Sequence, residues 1–282
     1  VSYTTRFAPS PTGPLHLGHA FSALTAWDRA QEAGGSFRLR IEDIDRPRCR
    51  PEFEVAIYGD LAWLGLSWPT PVMRQTERMD AYASALNRLA ALDLLYPCHC
   101  TRGDIRAALS APQEGAAVIG PDGPVYPGTC RGRSMAEAGP EDAIRIDMAR
   151  AVDRLLLPAF TETGPARAGR HRPDPARMVA EIGDVVLARR DIGTSYHLSV
   201  VVDDAEEGIT EVVRGEDLFG ATFIHVLLQA ALGLPTPVYH HHRLIRDEAG
   251  KRLAKRDDAL AIAKFRAEGA TPGDIRRMVG LG

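Results

Sequence analysis

An α/β fold built on a parallel sheet is what this chain predicts, and three observations carry the prediction. Residues 4–8 (TTRFA) form a β-compatible run, a helix-compatible stretch begins near Leu17 and ends at the breakers Gly34-Gly35, and Ser36–Ile41 (SFRLRI) reads as a second strand. Strand, helix and strand inside the first 45 residues make a βαβ unit, which implies parallel strands. A length of 282 residues suits two domains, or one large α/β domain with an insertion. Hydrophobic residues make up 45% of the chain, enough for a core, and 25% charged residues argue against long disorder.

Between the first strand and helix lies a stiff loop holding Pro9, Pro11, Gly13 and Pro14. The second strand ends in the acidic run Glu42-Asp43-Ile44-Asp45. Met79, Tyr82, Leu86 and Leu89 follow helical spacing, so residues 77–95 read as an amphipathic helix broken by Pro97. From 101 to 177 the chain is rich in Gly, Pro and Arg with only short periodic pieces, which reads as an insertion rather than sheet core. Residues 196–202 and 209–214 read as two β-rich runs separated by the turn-like 203–208. A helix over 218–232 follows, closed by Gly233 and Pro235. After it come the basic, Gly-containing residues 246–256 and a tail with room for two short helices. The expected division is therefore a first half-domain (1–96), an insertion (97–178), a second half-domain (179–235) and a basic loop with a helical tail (236–282).

A net charge of −3 excludes a blanket polyanion binder but leaves room for a local basic face. No apolar run approaches the ~18 residues of a membrane helix and the N-terminus lacks a signal pattern, so a cytoplasmic monomer without membrane contact is expected. Four cysteines in that setting are expected to be reduced, whether free, catalytic or metal-bound.

His16 and His19 fall three apart where the first helix starts. A helix N-terminus presents N–H groups and a positive dipole end, which makes it an anion site, and imidazoles there add donors to a phosphate. Spacing alone leaves that role open against plain capping or surface histidines. Gly13 to Gly18 has GxxxxG spacing, but His19-Ala20 follows instead of Lys-Ser/Thr, and no GxGxxG occurs. A metalloprotease pair would need i,i+4 spacing and a glutamate between the histidines; both are absent. Cys98, Cys100 and Cys130, with either Tyr126 or His99, supply four ligands for a structural zinc ion, against the alternative of reduced buried thiols. Cys49 stands outside that cluster and reads as structural. In a strand His240, His241 and His242 point to alternate faces, so they are not expected to converge on a metal.

Residues 6–19 (RFAPSPTGPLHLGH) resemble the first signature of class I aminoacyl-tRNA synthetases, whose short form HIGH is matched by His16-Leu17-Gly18-His19. Arg6, the Pro-Ser-Pro-Thr-Gly string and Glu42 within RIEDID make it similar to the glutamyl variety. The second signature, KMSKS, is matched by Arg252-Leu253-Ala254-Lys255-Arg256, which keeps Lys255 but departs at Arg252 and Ala254. Residues 200–204 and 213–217 also resemble the glutamyl catalytic domain. Ordinary glutamyl-tRNA synthetases continue into a helical anticodon-binding region, whereas only residues 257–282 follow the second signature here. With its cysteine-bearing insertion, the chain resembles the glutamyl-queuosine tRNA(Asp) synthetases.

That resemblance implies a Rossmann-type class I aminoacyl-tRNA synthetase catalytic domain with a zinc-bearing insertion and a short helical C-terminal segment. It implies ATP-dependent activation of L-glutamate to glutamyl-adenylate without tRNA, then transfer to the queuosine base in the anticodon loop of tRNA(Asp). His16, Gly18, His19 and Lys255 would meet ATP, with His16, His19 and Lys255 as the catalytic groups and Mg²⁺ accompanying the phosphates. Arg6, Ala8, Ser10, Glu42, Tyr196 and Arg214 would hold glutamate: two guanidinium clamps for carboxylates, and Glu42 for the ammonium. Cys98, Cys100, Tyr126 and Cys130 would hold Zn²⁺, the resemblance favouring Tyr126 over His99. The alternatives are a truncated glutamyl-tRNA(Glu) synthetase, an HxGH-type nucleotidyltransferase, which has no reason to pair Arg6 and Arg214 with Glu42, and a non-catalytic tRNA-binding module.

Overall fold

The opening βαβ unit forms as expected. In the computed structural model, which describes residues 2–110, 118–245 and 261–282, β1 (Thr4–Phe7), α1 (Leu17–Glu32) and β2 (Ser36–Ile41) follow one another, with β1 and β2 parallel. The chain reverses after α1 through Gly34 at φ 61°, and Gly35 packs on the Tyr3 carbonyl so closely that a Cβ would not fit. α2 (Pro51–Trp63) starts with proline at its first turn, and β3 (Met73–Arg74) adds a third parallel strand beside β2.

α3 (Met79–Ala91) buries Tyr82, Ala85 and Leu89, but it is shorter than the 77–95 expected. Asp93, at φ 55°, turns the chain, and β4 (Leu95–Cys98) follows at once, with Pro97 opposite Ile144 in a strand pair rather than breaking a helix. The next stretch holds α4 (Arg102–Ser110), a small hairpin of β5 (Ile119–Gly120) and β6 (Gly123–Pro124), β7 (Ala143–Ile146) and α5 (Met148–Arg154). β8 (Phe160–Glu162), β9 (Gly169–His171) and α6 (Pro175–Arg177) complete it. β4, β7 and β10 (Val186–Ala188) form a separate antiparallel sheet.

The run 196–202 is a helix, not a strand: α7 (Tyr196–Glu206) begins where Ser195 accepts a hydrogen bond from the Leu198 N–H. It packs against α3 and against α8 (Ala221–Leu232), and its buried residues include Leu198, Ser199, Val200, Val201, Asp203 and Asp204. A helix enclosed on several sides shows no clear 3.6-residue period, and packing overrides the β propensity of its valines.

β11 (Glu211–Gly215) and β12 (Val238–His242) pair in parallel, and β12 pairs in parallel with β8. One strand of the stretch read as insertion thus belongs to the main sheet, with β9 as its antiparallel edge. β11 also runs beside β1, where the Thr210 N–H donates to the Thr4 carbonyl at 3.0 Å and the Thr4 N–H to Thr210 Oγ1 at 2.8 Å. The spatial order is therefore β3-β2-β1-β11-β12-β8-β9. Connections wind away from β1 and β11 in opposite directions, which opens a crevice at their carboxyl ends.

The tail forms two short helices, α9 (Ile262–Ala267) and α10 (Pro272–Val279), as expected. Ile275 and Val279 are buried in the same core as α1, and Arg276 forms a bidentate ion pair with Asp28 at 2.8 Å. Ala261 bridges to His16, and the Ile262 N–H donates to the Leu15 carbonyl at 2.9 Å. No helix among the described residues is long and apolar enough to cross a membrane.

Candidate active site

The loop after β1 is pinned before α1 begins. Pro9 accepts from the Glu42 N–H at 3.0 Å and Pro11 from the Arg50 N–H at 2.9 Å, which ties the loop to the end of β2 and to the start of α2. His16 then caps α1 in an extended conformation. Its Nδ1 accepts from the Gly18 N–H at 3.1 Å, while its own N–H donates to His19 Nδ1 at 3.2 Å. The rings stack at 3.8 Å between centroids. This corrects the expectation of open N–H groups at the helix start: Gly18's is already engaged by His16. With both Nδ1 atoms in the cap, Nε2 is the atom through which either ring would donate to a phosphate. A Cβ on Gly18 would lie 3.0 Å from His16 Cε1, so glycine is what lets the ring fold back. Lys255, with the rest of 246–256, lies outside the described residues.

At the carboxyl end of β1, Arg6 is buried with its Nε and Nη2 on the two oxygens of Asp204, at 3.0 and 3.3 Å, and its Nη1 on the Val213 carbonyl at 3.2 Å. From β2, the fully buried Arg40 donates to Asp204 and Glu207 at 2.8 Å each and to Glu42 at 3.1 Å. Asp203 accepts from Gln75, Arg78 and Tyr82. The carboxyls respond differently to this company. Burial pushes Asp204 up, but the Arg6 and Arg40 charges outweigh it and hold it below its ordinary value. At Glu42 burial wins over Arg40 and Arg6, and the carboxyl is held above its ordinary value. Tyr196 faces Arg214, Glu42, Arg6 and Asp204 together, its hydroxyl pushed up by burial against the pull of Arg214. Ala8 and Ser10 lie half-buried on the loop that leaves β1.

Arg214, at the end of β11, is buried too, but its company differs. Its Nε donates to His241 Nε2 at 3.0 Å, Nη1 to His225 Nδ1 at 3.1 Å and to the Tyr196 hydroxyl at 3.5 Å, and Nη2 to Thr222 Oγ1 at 2.8 Å and the Leu218 carbonyl at 3.3 Å. Among the described residues no carboxylate forms an ion pair with it. The three histidines of β12 diverge as expected: His240 meets Thr163, His241 meets Glu162 and Arg214, and His242 packs on Phe21.

In the insertion, Cys98, Cys100 and Cys130 bring their sulfurs within 4.8 Å of one another. The Tyr126 hydroxyl lies 3.4 Å from Cys98 Sγ and 3.3 Å from Cys100 Sγ, and accepts from the Cys130 N–H at 2.9 Å. Tetrahedral zinc with Zn–S of 2.3 Å sets sulfurs about 3.8 Å apart, so the cluster matches that donor geometry. Burial raises the Cys130 thiol, but hydrogen bonds from Tyr126 and the His99 backbone outweigh it and bring it down to about 7. His99 sits outside the cluster, its Nδ1 facing Arg133 at 3.1 Å and Cys130 Sγ at 3.8 Å.

Sequence reading missed the groups behind the clamps: Arg40, Asp204, Glu207, Glu162, Thr222, His197 and His225. Arg40 carried no local signal, since in SFRLRI it alternates with Phe37, Leu39 and Ile41 as a solvent-facing position would. The others pair across separations such as the 198 residues between Arg6 and Asp204.

The family model described as tRNA synthetases class I (E and Q), catalytic domain, matches residues 2–131 and 175–281. A Rhodobacter capsulatus protein named glutamyl-Q tRNA(Asp) synthetase is 60% identical over 280 residues, covering 98% of this chain and 99% of its own length. One of the same name from Symbiobacterium thermophilum is 43% identical over 282 residues, covering 96% and 83%. A solved glutamate tRNA ligase from Elizabethkingia meningosepticum, in complex with its amino acid, superposes with a TM-score of 0.78 at 30% identity, covering 100% of this chain. The chain spans 61% of that ligase's length. Mycobacterium tuberculosis methionyl-tRNA synthetase, at 11% identity and a TM-score of 0.63, shares the fold.

Proposed function

The chain belongs to the class I tRNA synthetase catalytic domains of the glutamate and glutamine type, and from that premise we propose that it activates L-glutamate with ATP and passes it to queuosine in tRNA(Asp). What carries the glutamate reading is the contrast at the crevice: Arg6 is neutralised by Asp204, whereas Arg214 meets only neutral acceptors among the described residues. A buried, uncompensated guanidinium calls for an anionic ligand.

The attacking carboxylate must stay reactive, and an unscreened cation against it would blunt its oxygen. The side-chain carboxylate is therefore assigned to Arg214, with Tyr196 beside it, and the α-carboxylate to the Arg6 side. Glu42 takes the ammonium with Ser10 and the Ala8 backbone. Glutamine would bring a neutral amide to Arg214 and leave its charge unmatched, which is the basis for rejecting it. One α-carboxylate oxygen attacks the α-phosphorus of ATP, forming a P–O bond as the bond to pyrophosphate breaks. Glutamate is already ionised near pH 7, so no strong base is needed; alignment and cancellation of phosphate charge are. His16, His19 and Lys255 supply the second, Gly18 keeps the cap in shape, and Mg²⁺ accompanies the phosphates. A queuosine ring hydroxyl then attacks the activated carbonyl, and AMP leaves as its phosphate takes up the hydroxyl proton. Cys98, Cys100, Tyr126 and Cys130 hold a structural zinc ion; the three clustered thiols fit zinc's sulfur-rich donor sets, and the Tyr126 hydroxyl stands beside two of them as the fourth group.

The test is ATP–pyrophosphate exchange across amino acids without tRNA, followed by transfer of labelled glutamate. Glutamate-dependent exchange and labelling of queuosine-containing tRNA(Asp) are expected. Labelling of tRNA(Glu) at its 3′ end, with none of tRNA(Asp), would refute the proposal, and absence of glutamate-dependent exchange would refute activation itself.

A further inference from the structure

A guanidinium can only donate hydrogen bonds, so the ring nitrogens that face Arg214 must be unprotonated. These are His241 Nε2 and His225 Nδ1. The remaining protons are then placed. His241 carries its proton on Nδ1, against Glu162 Oε2 at 2.5 Å. His225 carries its proton on Nε2, facing His197 Nδ1 at 3.2 Å, and His197 then holds a proton on Nε2, 3.3 Å from Asp122 Oδ1. Thr222 closes the ring of contacts, accepting from Arg214 Nη2 at 2.8 Å and lying 3.3 Å from His241 Nε2.

We propose that His225 and His241 are positioning residues that orient Arg214 through neutral acceptors, so that its whole charge is kept for the side-chain carboxylate of the amino acid substrate. The inference rests on the glutamate reading above. An acid would orient Arg214 equally well, as Asp204 does Arg6, but it would cancel the charge that the substrate has to meet. Imidazole gives direction without cancellation, and each ring is anchored in turn: His241 by Glu162, whose Oε1 is held by the backbone N–H groups of His241 and Gly164 at 2.9 and 2.6 Å, and His225 by His197. Burial, with Arg214 alongside, keeps His225 well below its ordinary value. At His241 burial outweighs the opposing pull of Glu162, so this ring too stays neutral near pH 7. Glu162 itself is pushed up by burial, but the hydrogen bonds from His241 outweigh that and keep it ionised.

Two measurements on the full chain test this. Long-range proton–nitrogen NMR of the histidine rings reads tautomers directly, with assignments from single variants. His241 is expected as the neutral Nδ1–H form and His225 as the neutral Nε2–H form at pH 7; an imidazolium or the opposite tautomer at either position overturns the proposal. In ATP–pyrophosphate exchange, His225→Leu is expected to raise the KM for glutamate by about tenfold or more, with the KM for ATP within about twofold, and to narrow the preference for glutamate over glutamine. His225→Asn, whose amide oxygen can stand in for Nδ1, is expected to recover most of the loss. Equal losses in the two variants, or parallel rises in both KM values, overturn the proposal. Should the wild-type chain show no glutamate-dependent exchange, the glutamate reading itself fails, while the NMR tautomers still report on the orientation of Arg214.

Discussion

Replacing Asp204 with asparagine keeps the shape of the residue and removes one charge from the point where Arg6 and Arg40 meet. In the native chain Oδ1 accepts from Arg6 Nε at 3.0 Å and Arg40 Nη1 at 2.8 Å, while Oδ2 accepts from Arg6 Nη2 at 3.3 Å. An asparagine oxygen can keep the pair of bonds at Oδ1. Its amide then faces Arg6 Nη2, donor against donor. Arg40 still has Glu42 and Glu207, so Arg6 is the charge left uncompensated. One charge-assisted bond is worth about 1.5–3 kcal/mol, and an unpaired buried charge destabilises by about 3–5 kcal/mol, so a loss of about 4 kcal/mol is expected. At ~2–4 °C per kcal/mol for a chain of this size, the melting temperature should fall by about 8–16 °C at pH 7. Calorimetry of both proteins measures it. The folded carboxyl lies below its ordinary value, so its contribution is present above about pH 3.9 and is lost as pH falls through the folded value; the two proteins should therefore converge in acid. A drop of less than about 2 °C at pH 7 would refute the reasoning, because Arg6 would then be balanced without Asp204.

Gly18→Ala should push the His16 ring off its cap, lowering exchange turnover by about tenfold or more while costing about 1 kcal/mol of stability; unchanged turnover would remove the ring orientation from the mechanism. Metal analysis should find one zinc per chain, lost in Cys130→Ser and held more weakly in Tyr126→Phe, while His99→Ala keeps it; a metal-free native protein would end the zinc proposal. Burial holds His225 below its ordinary value, so the unfolded chain binds a proton there first, and this stability, present above about pH 6.5, is lost as pH falls. His225→Asn has nothing to protonate at that position and should therefore lose less melting temperature than the native chain between pH 7 and 5.5; equal losses would contradict a buried neutral His225.

Local signals read well where each element has one exposed face or a strong stop. α1 ends at Gly34-Gly35 because the chain must turn tightly onto Tyr3, and α8 ends at Gly233, which takes the left-handed conformation. Local reading failed where tertiary packing decides. The valines of 200–202 favour a strand in isolation, yet between α3 and α8 they complete a helix. Pro97 ends helices by habit, but here Asp93 has already turned the chain. The proposed glutamate contacts were nameable from their resemblance to a pattern, residue by residue. Their unequal electrostatics were not, because Asp204 behind Arg6 and the imidazoles behind Arg214 come from distant elements whose registers no local run encodes.

The staple between α10 and α1 has a consequence for how the protein is made. Asp28 leaves the ribosome 248 residues before Arg276, which at ~5–20 residues per second is a delay of roughly 12–50 s. Throughout that interval the core under the His16–His19 turn lacks Ile275 and Val279, and through the earlier part of it β1 also lacks β11. α1 is synthesised long before α10 and is not fully seated until α10 packs on it. A nascent chain therefore shows a sticky apolar face on α1 that has to be kept from neighbouring chains until α10 arrives.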